Sequence, residues 1–185
     1  MNHLGTLPLK TSRLTLRPLT LADSQAAFNN WTSDPKVTPY LTWPVHKDLS
    51  VTKEVITDWS QNYQKNDFYQ WGIVLDELNE PIGTISAVSL NEKTNSVEIG
   101  YCIGSRWWHQ GITSEALAAV SSFFFEQVKV NRLEAKHDLN NPNSGKVMEK
   151  CGLTFEGLDY GVKNNQGLVT VASYSLLKEE YFKQK

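Results

Sequence analysis

The chain has 185 residues, a formal net charge of −2, and 40% hydrophobic against 21% charged residues, a balance that suits one globular domain over residues 1–185. The lack of a basic excess argues against nucleic acid or an anionic membrane as a direct partner. No stretch reaches the ~20 apolar residues of a membrane span, no basic-then-apolar leader opens the chain, and Cys102 and Cys151 show neither CxxC nor Cys–His spacing; the expectation is a cytoplasmic protein with reduced thiols and no metal.

Leu14 to Leu19 alternates apolar and polar residues and predicts a strand. Thr20 with Asp23 three residues on resembles a capping box and predicts a helix to about Trp31. Ser33 to Lys47 holds Pro35, Pro39 and Pro44 together with Tyr40 and Trp43, a loop or short helical turn with unusual aromatic content. Ser50 reads as the N-cap of a helix over Val51 to about Tyr63. Gln70–Leu75 and Pro81–Leu90 predict a hairpin around Glu77–Glu80, and a polar turn at Asn91–Asn95 leads to a third strand, Val97–Ile103. A long helix follows from Gly111 to about Val128, with Ile112, Ala116, Ala119, Val120, Phe123 and Phe124 giving it a wide apolar face. Arg132–His137 predicts a short strand. Asn141–Cys151 predicts a helix with Pro142 in its first turn and Gly152 at its stop. Leu153–Glu156 and Leu168–Leu177 close the chain as strands around a turn at Asn164–Gly167. The order predicts an α+β fold: a mixed, mostly antiparallel sheet with helices on both faces.

The segment from Val97 to Ala116 carries the clearest chemistry. A strand runs into a turn with two tryptophans, then into a helix opened by Gly111 with Thr113 and Ser114 in its first turn. The first N–H groups of a helix lack intrahelical partners and sit at the positive end of its dipole, so this is an anion receptor suited to a diphosphate. Gly111, without a Cβ, lets a phosphate approach its N–H closely. Neither GxGxxG nor GxxxxGK[ST] occurs, which disfavours a Rossmann or P-loop nucleotide site.

Four segments in this order and spacing resemble the GNAT family of acetyl-CoA-dependent N-acetyltransferases, and within it the ribosomal-protein N-terminal (Rim-type) branch. They are Arg13–Pro18, Glu98–Tyr101, Trp108–Ala116, and Asn141–Ser144 with Glu149–Leu153; the likeness spans roughly Arg13 to Leu177. It implies a central sheet splayed at a bulge, with the coenzyme diphosphate on the loop Trp108, His109, Gln110, Gly111, Ile112, Thr113 and Ser114. Trp108 stands where the wider family often has Arg or Gln, so the amides carry the anion, with Arg106 supplying charge from the edge. The pantetheine arm is expected to pair with backbone groups of Cys102 and Ile103 in the splay, as an added strand would. One N–H there would hold the oxyanion. The Cys102 thiol reads as packed in a strand rather than as a nucleophile.

An amine must lose a proton before it attacks, and Glu98 is the candidate base, directly or through water; burial near the splay would raise its pKa. The family's usual tyrosine acid falls at Met148, so Ser144, which matches the Rim-type branch, is the group expected to meet the departing thiolate. Asn141 would bond the pantetheine amides or cap its helix. Trp31, Tyr40, Trp43, Phe68 and Tyr69 are candidates for the acceptor wall. The resemblance implies an acceptor that is a protein or peptide N-terminus, a ribosomal protein among the possibilities, and a monomer or homodimer. The alternatives are a small-molecule amine or antibiotic acetyltransferase and a non-catalytic acyl-CoA-binding module. An N-terminal acceptor predicts a cleft open at both ends; a small amine predicts a closed pocket.

Overall fold

Eight strands form one continuous sheet in the computed structural model, which describes residues 1–185. In spatial order they are β1 (Leu9–Lys10), β2 (Leu14–Arg17), β3 (Gln70–Leu75), β4 (Glu80–Asn91), β5 (Ser96–Ile103), β6 (Arg132–Asp138), β8 (Gly167–Leu177) and β7 (Thr154–Asn164). All neighbours are antiparallel except β5 and β6. That parallel pair holds register only at Ser96–Arg132, Val97–Leu133 and Glu98–Glu134; beyond Glu98 the strands part. The bulge at this level belongs to β4, where the register shifts between Ala87 and Ser89.

Alternation along β5 assigns the two faces. Val97 and Ile99 are buried in the main core with Ile112, Ala116 and Val120 of α3 (Ile112–Phe123) and Met148 of α4 (Pro142–Lys150). On the other face, Cys102 packs on a smaller cluster of Leu19, Ala27, Trp31 and Ile56, which joins α1 (Ser24–Ala27) to α2 (Leu49–Asn62). Helices thus cover both faces as expected, and the gap between β5 and β6 lies between them.

The local signals hold with shifted boundaries. The Thr20 N–H donates to Asp23 at 2.7 Å. The segment that follows is wound tightly over Leu21–Asp23 and loosens into a wide π turn at Phe28–Thr32. Asp48, not Ser50, caps α2, accepting from the Ser50 N–H at 2.8 Å. The helix from Gly111 is α-helical to Phe123 and continues as a π turn over Phe124–Val128. The strand expected at Leu153–Glu156 runs on to Asn164, making β7 and β8 a long hairpin. A short C-terminal helix, α5 (Lys178–Lys183), has no counterpart in the sequence reading.

Candidate active site

A cleft of about 1070 Å³ follows the gap between β5 and β6, from the start of α3 to the loop before α2. Its floor comes from strand geometry. The Gly104 N–H bonds the Ile82 carbonyl on β4, and Thr84 faces Cys102. Backbone groups alternate between edges, so Gly100, Cys102 and Gly104 are turned to β4, while Tyr101 and Ile103 present theirs to the gap. The free strand edge therefore belongs to Tyr101 and Ile103, not to Cys102. The Ile103 carbonyl already accepts from the Trp108 indole at 3.0 Å, which leaves its N–H and both Tyr101 groups for a ligand. Cys102 lines the cleft with a thiol that burial pushes up and that contacts the Thr84 hydroxyl at 3.4 Å.

At one end of the cleft, α3 begins without a side-chain cap, so its first N–H groups are free. Gly111 holds a left-handed φ of +74°, a conformation that glycine adopts without strain. A Cβ built there would lie 3.8 Å from both Arg13 Nη2 and Lys150 Nζ. Two cations thus converge on the space an anion would fill in front of the helix. Arg13 also donates to the Gln110 carbonyl at 3.1 Å and to Glu115 at 2.8 Å. Burial alone would raise the Glu115 carboxyl, but hydrogen bonds from Thr11, Arg13 and Ser12 outweigh it and hold it at about 2. This carboxylate in the first turn of α3 fastens the β1–β2 turn to the receptor loop. The edge cation named from sequence, Arg106, is engaged elsewhere: it donates to Asn30 at 2.6 Å and lies over the Trp107 ring. Gln110 contributes backbone to the loop, but its side chain turns back to the Arg106 carbonyl.

The opposite wall is the start of α4. Asn141 makes no side-chain cap, so its amide, which lines the cleft, has no partner in the protein and the capping alternative falls away. Ser144 Oγ donates to the Tyr101 hydroxyl at 3.0 Å, and that hydroxyl donates to the Ser144 carbonyl at 3.0 Å. Burial pushes the Tyr101 phenol well above its ordinary range, so it stays protonated. Met148, one turn further along α4, is buried in the core, and the phenol beside Ser144 comes from β5. Tyr101 was missed from sequence because its meeting with Ser144 joins positions 43 residues apart.

The far end of the cleft is aromatic. Trp31, Tyr40 and Trp43 line it, joined by Trp59. His46, unremarked in the sequence, sits here with Nδ1 bonded to Thr52 at 2.8 Å and its ring 5.4 Å from that of Trp43. Burial pushes its pKa down, so the imidazole is neutral at pH 7. The tip of the β7–β8 hairpin crosses this end. The Asn165 N–H donates to the Leu41 carbonyl at 3.0 Å, and its side-chain amide donates to the carbonyls of Thr38, at 3.1 Å, and Trp43.

Three candidates lie elsewhere. Tyr69 is in the core, stacked on Trp71 with its hydroxyl accepting from the Leu4 N–H, and Phe68 packs on Tyr63. Both are corrections to the acceptor wall. Glu98 is beside the cleft rather than in it: it faces a small polar cavity with Ser96, Arg132 and Glu134, and it pairs at 3.7 Å with Lys136, which does line the cleft.

Residues 13–154 match the family model described as an acetyltransferase (GNAT) domain. The chain is 34% identical over 177 residues to the uncharacterized N-acetyltransferase p20 of Bacillus licheniformis, covering 94% of this chain and 97% of that one. It is 32% identical to the ribosomal-protein-serine acetyltransferase of Escherichia coli over 79 residues, 43% of this chain and 44% of that one. Among solved structures, the microcin C7 self-immunity acetyltransferase MccE in complex with acetyl-CoA and AMP superposes with a TM-score of 0.80 at 18% identity, over 90% of this chain and 93% of that one. No group of side chains in the structure could hold a metal ion, and no helix is long and apolar enough to cross a membrane. With a family match over most of its length, and a helix start, a free strand edge and an uncapped asparagine along one cleft, the chain belongs to the GNAT family and is an acetyl-CoA-dependent N-acetyltransferase.

Proposed function

We propose that this enzyme acetylates the α-amine at the N-terminus of a protein or peptide, by direct attack in a ternary complex. The observation that supports direct attack is the single cleft that joins the anion receptor, the free edge of β5 and the aromatic end, where the one lining thiol, Cys102, is kept protonated by burial and contacts Thr84. The diphosphate of acetyl-CoA lies on the amides from Gln110 to Ser114, with Lys150 and Arg13 beside it. The pantetheine pairs with Tyr101 and Ile103 and bonds Asn141. The amine loses its proton to Glu98 through water, and its nitrogen then forms a bond to the thioester carbon. A free N–H of β5 holds the oxyanion. The C–S bond breaks, and Ser144 turns its hydroxyl from Tyr101 toward the thiolate.

The N-terminal acceptor draws on the likeness to the Escherichia coli ribosomal-protein-serine acetyltransferase, and a ribosomal protein is one such acceptor. A small amine is the second reading, favoured by Asn165, which closes one side of the aromatic end. A screen of free-thiol release across N-terminal peptides, the same peptides with blocked α-amines, and small amines tests this. Transfer to free but not blocked α-amines is expected. Turnover confined to small amines would replace the reading with the second one. In the same assay Glu98→Gln should lower turnover most at low pH, where deprotonating the amine is hardest, with acetyl-CoA affinity unchanged.

A further inference from the structure

The aromatic end of the cleft has a charge pattern that bears on its acceptor. Asp138 is the one acidic side chain among the lining residues, and its carboxylate is buried and already accepts from the Asn140 N–H and the Asn164 amide, each at 2.8 Å. Lys36 lines the end that holds Trp31, Tyr40, Trp43 and Trp59. Lys136 also lines the cleft, but Glu98 and Asp159 pair with it at 3.7 and 3.5 Å. The reacting amine is neutral when it attacks. A further positive charge at the aromatic end would meet Lys36 and find no free carboxylate in the lining, and a buried charge without a partner is strongly disfavoured. β7 is largely exposed, but β8 is paired to β6 and packs Ala172, Tyr174 and Leu176 into the core, and the Asn164 amide on Asp138 steadies the base of the tip. The last link, from the tip to the loop over residues 38–43, depends on one residue. Asn165 supplies all three hydrogen bonds of that link.

We infer that the acceptor is a monoamine with an apolar or aromatic group next to the amino group and no second positive charge, and that Asn165 is a specificity-determining residue that closes the chamber over that group. This rests on the acceptor end assigned above, and it holds for a peptide N-terminus and for a small amine alike.

Two acceptor series test it with the full-length enzyme. One pairs peptides beginning with Phe or Leu against the same peptides beginning with Lys or Arg. The other pairs 2-phenylethylamine against spermidine, so the inference is judged even if no peptide is acetylated, which would overturn only the N-terminal reading. In each series kcat/KM should favour the apolar member by about tenfold or more. Asn165→Ala should shrink that preference by at least about fivefold through KM for the acceptor, with KM for acetyl-CoA unchanged. Asn165→Asp keeps the shape and loses the amide donors, so it should do the same if hairpin folding is intact by circular dichroism. Equal or better use of spermidine, or unchanged selectivity in both Asn165 variants, overturns the inference.

Discussion

Gly111→Ala isolates the anion receptor from the rest of the cleft. The new Cβ would meet no protein atom closer than 3.8 Å, so it collides with nothing in the ligand-free protein. Its cost to folding is confined to the left-handed φ of +74°, roughly 1–2 kcal/mol for an L-residue. The methyl group, however, points into the space on which Arg13 and Lys150 converge. A phosphate displaced from the free amides of α3 loses at least one charge-assisted hydrogen bond, about 1.5–3 kcal/mol. Acetyl-CoA binding should therefore weaken by about 10- to 150-fold. Isothermal titration with acetyl-CoA measures the loss, and S-acetylpantetheine, which lacks the diphosphate, is the control that should bind both proteins equally. Equal losses for the two ligands would show that the substitution acts through the whole cleft. No loss for acetyl-CoA would place the diphosphate elsewhere.

Two further outcomes follow from the same geometry. The Glu115 carboxyl is held at about 2, below its unfolded value, so its contribution to stability is present above about pH 4.5 and is lost as pH falls toward 2. Thermal melts should then show the wild type losing its advantage over Glu115→Gln across that window; parallel melting curves would refute the role. Ser144→Ala should lower kcat with little change in KM for acetyl-CoA, and Tyr101→Phe should lower it less, since Tyr101 acts only by orienting Ser144. A Tyr101→Phe loss as large as that of Ser144→Ala, unchanged in the double variant, would make the two hydroxyls one unit. A larger loss in Tyr101→Phe alone would refute the ranking.

Much of the fold was legible because its signals are local. Alternation marked β2, polar turns set off β3, β4 and β5, and helical periodicity marked α3. Proline and glycine bounded α4. The errors have physical causes. Asp48 took the cap because its carboxylate reached the Ser50 N–H. Tyr69 looked like a cleft aromatic, but its place just before β3 puts it in the core, where Trp71, Phe123 and Phe124 enclose it. Cys102 was assigned a free backbone because nothing in the sequence says which edge of β5 each residue bonds. The contact of Gly104 with Ile82 decides it.

The sequence by itself determined the donor side of this enzyme. A glycine opening a helix, and the orphan N–H groups that follow, are properties of a few consecutive residues, and they carry the anion site wherever the helix is placed. Only the tertiary structure decided the chemistry around it. Lys150 and Arg13 flank Gly111, Tyr101 meets Ser144, Lys136 pairs with Glu98, and Asn165 crosses to the loop at Thr38. Each of these joins side chains from different elements. Which face a strand turns to a helix, and where a hairpin tip lands, are set by packing across the whole sheet rather than by neighbouring residues.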